Sequence, residues 1–467
     1  MPDSIVLPAG LHAALHPWSP SEGDAWDLRK AAHLYRRAGF GGSLPELNRA
    51  LEQGHAATLD WIVAPPDGSQ PLDDLLKLVR TELVQFDDDL IEPQSFWFYR
   101  MIASDRPLEE KMALFWHDHF ATANYKVNSP TLMYRQYETM RKAGLDRFED
   151  LLLAMARDPA MIIWLDNNSN RKGQPNENFA REILELFTLG EGQYTEQDIK
   201  EAARAFTGWH LAGGSFRFNA GQHDGGEKTF LGETGTLGGE DVIRLLAASP
   251  KTARFLAAKL LRFFAMPEPP DALTESLAQV YLANDGRMSA VMGVLLRSRL
   301  FFGPDTYRSL IRSPVELVVS TVRLLDANSN RTMTFPALAK MGQELFNPPN
   351  VAGWPGGEAW LNDVTMLERM NFLNDMLMRS PVKVDGRDHL VLQALKDAGL
   401  STPEETVGFL IRWVIQDDLS PAQRETLVTY FASELKKVDA PGNQESVDFK
   451  YRRVAYMLMT LPAYQLA

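Results

Sequence analysis

The sequence predicts a large, multi-helical globular protein that is mainly α, with one small β-hairpin insertion at about residues 213–232. Apolar residues recur at steps of three and four along most of the chain, which is the period of a helix with one buried face. Proline stands near the first turn of several segments, as at Pro107, Pro130 and Pro314, where it removes no intrahelical hydrogen bond. The predicted helical segments are 27–39, 71–86, 107–122, 130–144, 195–209, 252–266 and 313–327.

Residues 213–232 are the main exception to this helical period. Ser215–Phe218 and residues 228–231 alternate with a period of two around a glycine-rich loop, so the sequence predicts that these two runs form the hairpin. Residues 346–357 are rich in proline and glycine and cannot be helical. Phe346, Val351 and Trp354 are too apolar for a solvated linker, and we expect this segment to pack on the core.

The domain organisation is predicted from length and from one polar connector. A chain of 467 residues is long enough for one large core or two smaller ones. The connector at 385–388 suggests an N-terminal arm at 1–25, a main helical domain at 26–384 that contains the candidate site, and a C-terminal helical unit at 385–467.

Composition excludes several classes of function. The net charge of -13 and the absence of a Lys/Arg run argue against nucleic-acid binding. The chain has no cysteine, which excludes disulfides, thiolate metal sites and a cysteine nucleophile. Residues 1–20 lack the pattern of a signal peptide and no apolar stretch reaches membrane-spanning length, so a cytoplasmic location without a membrane span is predicted.

Two of the nine histidines, His117 and His119, lie in the motif Trp116–Phe120. Residues two apart cannot share a helical face, so both imidazoles reach one metal ion only if the helix ends or distorts about Asp118. His119 by itself also fits a hydrogen-bonded core histidine, whereas the His-x-His spacing favours a metal site.

A second candidate element is the helix after Asn176, which carries Glu182 and Glu185 on its polar side. Glu182 lies at the edge of the apolar face, and a partly buried carboxylate requires a cation, a donor or a proton. The alternative is a solvated helix face, with an Arg181–Glu185 ion pair and with Glu182 bonded to an arginine such as Arg204.

The third element is the loop 221–229, where His223 and Asp224 stand beside a pair of glycines and could add ligands or a general base. A plain turn with His223 in solvent is the alternative. The loop lacks the Gly-Lys-Ser/Thr ending of a phosphate loop, and the chain has no His-Glu-x-x-His, Gly-x-Ser-x-Gly or dinucleotide-binding glycine motif.

An ordered set of motifs resembles the bacterial family of domains of unknown function called DUF1800. The motifs are residues 31–41, Trp116–Phe120, 176–190, 194–209, His223-Asp224, 312–316 and 346–357, and the likeness runs from about residue 28 to the C-terminus. The resemblance implies a large helical protein without an established activity, and a partner from an uncharacterised sulfatase/phosphatase-like family that is often encoded beside it. Many relatives carry export signals. Phe187 stands where relatives have histidine, so a ligand role at that position is lost here.

Two hypotheses of function follow. The first is a metal-dependent enzyme, a hydrolase or an oxidoreductase acting on an unknown substrate, with His117, His119 and Glu182 holding a divalent ion such as Zn, Fe or Mn. Glu185, His223 or Asp224 would then complete the ligand shell or act as the base. The second is a non-catalytic helical binding or scaffold protein, whose segment at 348–357 contacts a partner protein.

Overall fold

Helices account for most of this computed structural model, which confirms the predicted mainly α fold. The structure describes residues 5–64, 86, 89–325, 331–379, 399–400, 402–435 and 444–467. Most of the predicted helix at 71–86 and the predicted connector at 385–388 lie outside these residues.

The chain divides into two units, each built from separate stretches of sequence. Unit 1 contains residues 1–18, 59–303 and 345–355, and unit 2 contains residues 19–58, 304–344 and 356–467. The predicted domain boundaries stay a prediction, since the boundary at 385 falls outside the described residues.

The helices are numbered in chain order. The first fifteen are α1 (Leu28–Arg37), α2 (Leu44–Gln53), α3 (His55–Val63), α4 (Ile91–Ala103), α5 (Pro107–His119), α6 (Asn124–Val127), α7 (Pro130–Ala143), α8 (Phe148–Ala156), α9 (Pro159–Trp164), α10 (Glu177–Glu185), α11 (Glu196–Ala205), α12 (Gly239–Ala247), α13 (Pro250–Phe264), α14 (Asp271–Ala283) and α15 (Met288–Arg297). The remaining helices are α16 (Pro314–Leu324), α17 (Arg331–Lys340), α18 (Asp363–Asn374), α19 (Pro403–Ile415), α20 (Pro421–Leu435), α21 (Gln444–Met459) and α22 (Pro462–Gln465).

The helix starts follow the local chemistry of the sequence. Pro107, Pro130 and Pro314 each occupy the first turn of a helix, as predicted. Thr195 caps α11, because its hydroxyl accepts from the Asp198 amide while the Asp198 carboxylate accepts from the Thr195 amide. These reciprocal bonds satisfy backbone donors that a helix start leaves open.

Strands occur in the predicted region, but the predicted pairing of Ser215–Phe218 with residues 228–231 is wrong. Strand β1 (Trp209–Ala212) pairs with β2 (Ser215–Phe218), and β3 (Lys228–Phe230) pairs with β4 (Glu233–Gly235), both antiparallel. The reason is local turn chemistry. Gly213 and Gly214 have φ of 60° and 74°, and Leu231 and Gly232 have φ of 48° and 89°. Two successive positive φ values make the tight turn whose twist matches a two-residue hairpin, so each strand folds back on its neighbour in sequence.

Helix α5 is the central element of the candidate site in unit 1. Ten of its thirteen residues are buried, including Lys111 and Glu110, so it is surrounded by protein on nearly every side. A helix buried in this way places polar residues near its C-terminal end among apolar neighbours rather than in water.

Candidate functional site

The motif Trp116–Phe120 lies at the C-terminal end of α5, which ends at His119. The helix therefore ends next to Asp118, as the metal hypothesis required. Both histidines are buried, with exposed fractions of 0% for His117 and 2% for His119. Neither side chain lies on a solvent-exposed face.

His117 is fixed by the loop at residues 346–355. Its Nε2 accepts a hydrogen bond of 3.0 Å from the Phe346 amide, and its ring packs edge-on against Trp97 and Trp354 at centroid distances of 5.2 and 5.4 Å. Burial lowers the pKa of His117 to about 3, so the imidazole is neutral. Because an amide can only donate, the ring proton is on Nδ1.

His119 has the opposite tautomer. Its Nε2 lies 3.1 Å from the Phe187 carbonyl oxygen, which can only accept, so Nε2 carries the proton. Burial lowers the pKa of His119 well below its usual value, and the positive charge of Lys259 adds to this effect. The ring lies among Phe115, Phe120 and Phe187, with the Phe187 ring centroid 6.0 Å away. These apolar neighbours offer no metal ligand.

Asp118, between the two histidines, holds the far end of the same loop. Its Oδ1 accepts a hydrogen bond of 2.8 Å from the Trp354 amide. Gly353 makes this approach possible, because its φ is +85° and a Cβ there would lie 2.3 Å from the Asp118 Oδ1. Burial raises the pKa of Asp118, while the Trp354 amide and Lys259 act against that rise.

The two glutamates of α10 are partly buried, and Glu185 accepts a hydrogen bond from the Tyr194 hydroxyl. Burial and the neighbouring Glu185 carboxylate raise the pKa of Glu182.

The alternative hypothesis predicted an Arg181–Glu185 ion pair and a bond between Glu182 and Arg204, and both arginines have other partners instead. Arg181 pairs with Glu177 at 3.4 Å and with Glu196 at 3.1 Å, and Arg204 pairs with Glu201 at 2.6 Å and with Asp224 at 2.8 Å. The loop that carries Asp224 packs against α11, so Asp224 pairs with Arg204 although the two residues are 20 positions apart in sequence.

His223 and Asp224 also have partners within the protein. The Nδ1 of His223 donates to the Thr207 carbonyl at 2.9 Å, and the Asp224 amide donates to the Thr207 hydroxyl at 2.7 Å. Hydrogen bonding to Arg204 lowers the pKa of Asp224 to about 2. Asp224 is therefore an ionised structural partner of Arg204, a poor starting point for a general base.

Taken together, the described residues contain no group of three or more His, Asp or Glu side chains placed to hold a metal ion. The structure therefore does not gather His117, His119 and Glu182 into a ligand set, and the predicted metal site stays a prediction. The sequence reasoning missed Lys259 and the loop amides of Phe346 and Trp354. Lys259 was detectable in principle, since it lies in the otherwise apolar run 256–261 of α13.

A family model described as "Protein of unknown function (DUF1800)" matches residues 33–466 of the 467-residue chain. The chain belongs to the DUF1800 family. This confirms the resemblance of the motifs, and it assigns no activity to them. No curated protein and no solved structure matches this DUF1800 protein. Among the helices that the structure describes, none is long and apolar enough to cross a membrane.

Proposed function

We propose that this DUF1800 protein is a non-catalytic binding protein that acts together with a partner protein. The observation that carries the proposal is the use of the motif Trp116–Phe120. His117 and Asp118 each hold one end of the loop 346–355 through a backbone amide, and His119 holds the carbonyl of Phe187. The polar atoms of His117 and Asp118 thus position a loop, and the Nε2 of His119 holds a backbone carbonyl.

The loop is held at further points along its length. The Asn124 amide donates to the Phe346 carbonyl at 2.8 Å, the Tyr125 amide donates to the Asn347 side chain at 3.2 Å, and Gln94 donates to the Leu345 carbonyl at 3.0 Å. A loop that is ordered before binding loses little conformational entropy when a partner docks.

The outer side of this loop has the composition of a protein-binding surface. Trp354 is buried, whereas Pro349, Asn350 and Ala352 are exposed, and the adjacent Tyr125 is 64% exposed. We call these four exposed residues the loop surface: Tyr125, Pro349, Asn350 and Ala352. An exposed tyrosine on a rigid support buries a large area at low entropic cost, which makes Tyr125 the expected anchor.

The test is the affinity of the 467-residue chain for a protein of the sulfatase/phosphatase-like family, which the family resemblance suggests as the partner. We expect Tyr125→Ser to weaken binding at least about tenfold, as loss of an interface anchor does. Phe218→Ser, which removes another exposed aromatic ring of unit 1, is the matched control. Equal affinities for both variants and the wild type would reject the loop surface.

Gly353→Ala tests whether the position of the loop matters, because it changes none of the four residues of the loop surface. The new Cβ would collide with Asp118 and displace the loop, so partner binding should fall while Tyr125 is intact. Gly173→Ala is the control, because Gly173 has a similar φ of +80° and no atom within 4 Å of the added Cβ. An unchanged affinity in Gly353→Ala would show that loop position does not matter for binding.

A metal-dependent hydrolase or oxidoreductase is the second candidate, and one observation favours it. The imidazole of His119 is neutral and protonated on Nε2, so its Nδ1 carries a lone pair, and that atom has no hydrogen-bond partner in the described part of the chain. Elemental analysis of protein purified without a histidine tag decides between the candidates. Near-stoichiometric Zn, Fe or Mn that is lost in His119→Ala and Glu182→Gln would favour the enzyme, and a protein that binds no added divalent ion would exclude it.

A further inference from the structure

Unit 2 contains a pocket lined by two buried arginines. It encloses about 310 Å³ of empty space, part of it open to solvent. The polar side chains on its wall are Arg36, Arg312, Ser320, Gln416 and Tyr464. Among the described residues that line it, none is Asp or Glu. The other described lining residues are apolar or glycine, so the charge on the pocket wall comes from the two arginines.

Arg312 is held in place by neutral acceptors. Its Nε donates to the Leu466 carbonyl at 3.1 Å and its Nη1 donates to the Ser320 hydroxyl at 3.0 Å, while the guanidinium lies 4.6 Å from the centre of the Tyr464 ring. Only 5% of the residue is exposed, and burial lowers its pKa, while the charge of the Glu316 carboxylate acts against that fall. A buried guanidinium held in this way is oriented by neutral acceptors.

Arg36 reaches the same pocket from α1. Its Nη1 donates to the Gln416 Oε1 at 2.7 Å, and the residue is 5% exposed. Gln416 and the next residue, Asp417, have left-handed backbone with φ of 55° and 61°. Two successive strained residues at the end of α19 place the neutral Gln416 amide against Arg36, and strain of this kind is concentrated at binding sites.

Further charged residues surround the pocket, and the carboxylates of Glu316 and Asp418 are among them. Arg308 pairs with Asp418 at 2.5 Å, and Arg369 donates only to the carbonyls of Trp360 and Arg312 and to the Gln465 side chain. Burial and the neighbouring arginines Arg308, Arg312 and Arg37 lower the pKa of Arg36. Burial and the like-charged neighbours both disfavour the cationic form of Arg36, and a bound anion would stabilise it.

We propose that this pocket binds a small tetrahedral oxyanion, a phosphate or sulfate group, between the guanidinium groups of Arg36 and Arg312. Planar guanidinium groups donate parallel hydrogen bonds that match the spacing of such oxygens. The volume of about 310 Å³, part of it open to solvent, is enough for one small anionic group. The proposal is independent of the loop surface, because every residue that lines the pocket belongs to unit 2.

The first measurement is calorimetric titration of the full-length chain with inorganic phosphate and with sulfate, at an ionic strength held constant with sodium chloride. We expect one anion bound per chain, together with a rise in melting temperature that chloride alone does not produce. Absence of a phosphate- or sulfate-specific effect in the wild-type protein would overturn the proposal.

Gln416→Glu is the decisive variant. It is nearly isosteric, and the new carboxylate would face Arg36 where Gln416 Oε1 now lies, so it supplies an anion within the chain. We expect phosphate affinity at least about tenfold lower than in the wild type. Gln423→Glu adds the same charge at an exposed position and should bind phosphate as the wild type does. Equal affinities in the wild type and Gln416→Glu would overturn the proposal.

Arg312→Lys tests recognition in a second way, since it retains the positive charge and loses the planar fork. Phosphate affinity should again fall at least about tenfold, and an unchanged affinity would overturn the role of Arg312. Binding of phenyl phosphate shows whether the natural ligand is a phosphate group on a larger molecule or the free anion. Tighter binding than inorganic phosphate identifies a phosphomonoester, and weaker binding identifies the free anion, and both support the site.

Discussion

At the scale of single residues, this protein uses buried polar side chains to hold distant backbone groups. His117 and Phe346 are 229 positions apart in sequence, and Asp118 and Trp354 are 236 apart. Each bond satisfies a buried amide that would otherwise cost roughly 1–3 kcal/mol. The neutral state of His117 is part of this role, because a protonated imidazole has no lone pair with which to accept the Phe346 amide.

His117→Gln should therefore change how stability depends on pH. The pKa of His117 is about 3 in the fold and 6.5 as a reference value, so its contribution is fully present above pH 6.5 and is lost as the pH falls toward 3. Below pH 6.5 the stability advantage of the wild type over the variant should shrink by about 1.4 kcal/mol per pH unit. Urea unfolding at several pH values measures this, with the exposed His16→Gln as a control. A difference that stays constant with pH would contradict the buried, neutral state of His117.

At the scale of elements, local turn chemistry decided which strands pair. The β3–β4 turn places Leu231 at φ 48°, a conformation that costs a residue with a Cβ roughly 1–2 kcal/mol. Nothing in the alternating pattern of the strands indicates this strained leucine.

Leu231→Asn should stabilise the protein by roughly 0.5–1 kcal/mol, because asparagine tolerates left-handed backbone and is favoured in this type of turn. Leu231→Ala retains the backbone strain and loses apolar contacts, so it should melt below the wild type. Thermal unfolding of the three proteins gives the order. If the alanine variant melts above the asparagine variant, the turn is not the source of strain.

At the scale of the whole molecule, charge is distributed unevenly between surface and interior. The chain carries a net charge of -13, yet buried arginines concentrate in unit 2 around Arg36 and Arg312. A cation buried in a pocket can recognise one small anion that enters it, whereas a DNA backbone requires an exposed stripe of positive charge.

We therefore expect no binding of duplex DNA, even at low salt of about 50 mM, where phosphate contacts are strongest. Fluorescence anisotropy with a labelled duplex measures this, and inorganic phosphate at the unit 2 pocket serves as the contrasting ligand. DNA binding that weakens steeply with added salt would reveal an exposed basic surface and would contradict the expectation.

By itself the sequence determined the mainly α fold, the helix starts, the burial of Trp354 and the partial burial of Glu182. These properties depend on periodicity, on caps and on the polarity of neighbouring positions, which are local. It also indicated that His117 and His119 cannot share a helical face and that His119 fits a hydrogen-bonded core histidine. Only the tertiary structure decided the partners of His117, Asp118 and Arg312. Those partners are backbone groups and side chains far away in sequence, and a backbone amide or carbonyl has no residue-specific signal that could mark it in advance.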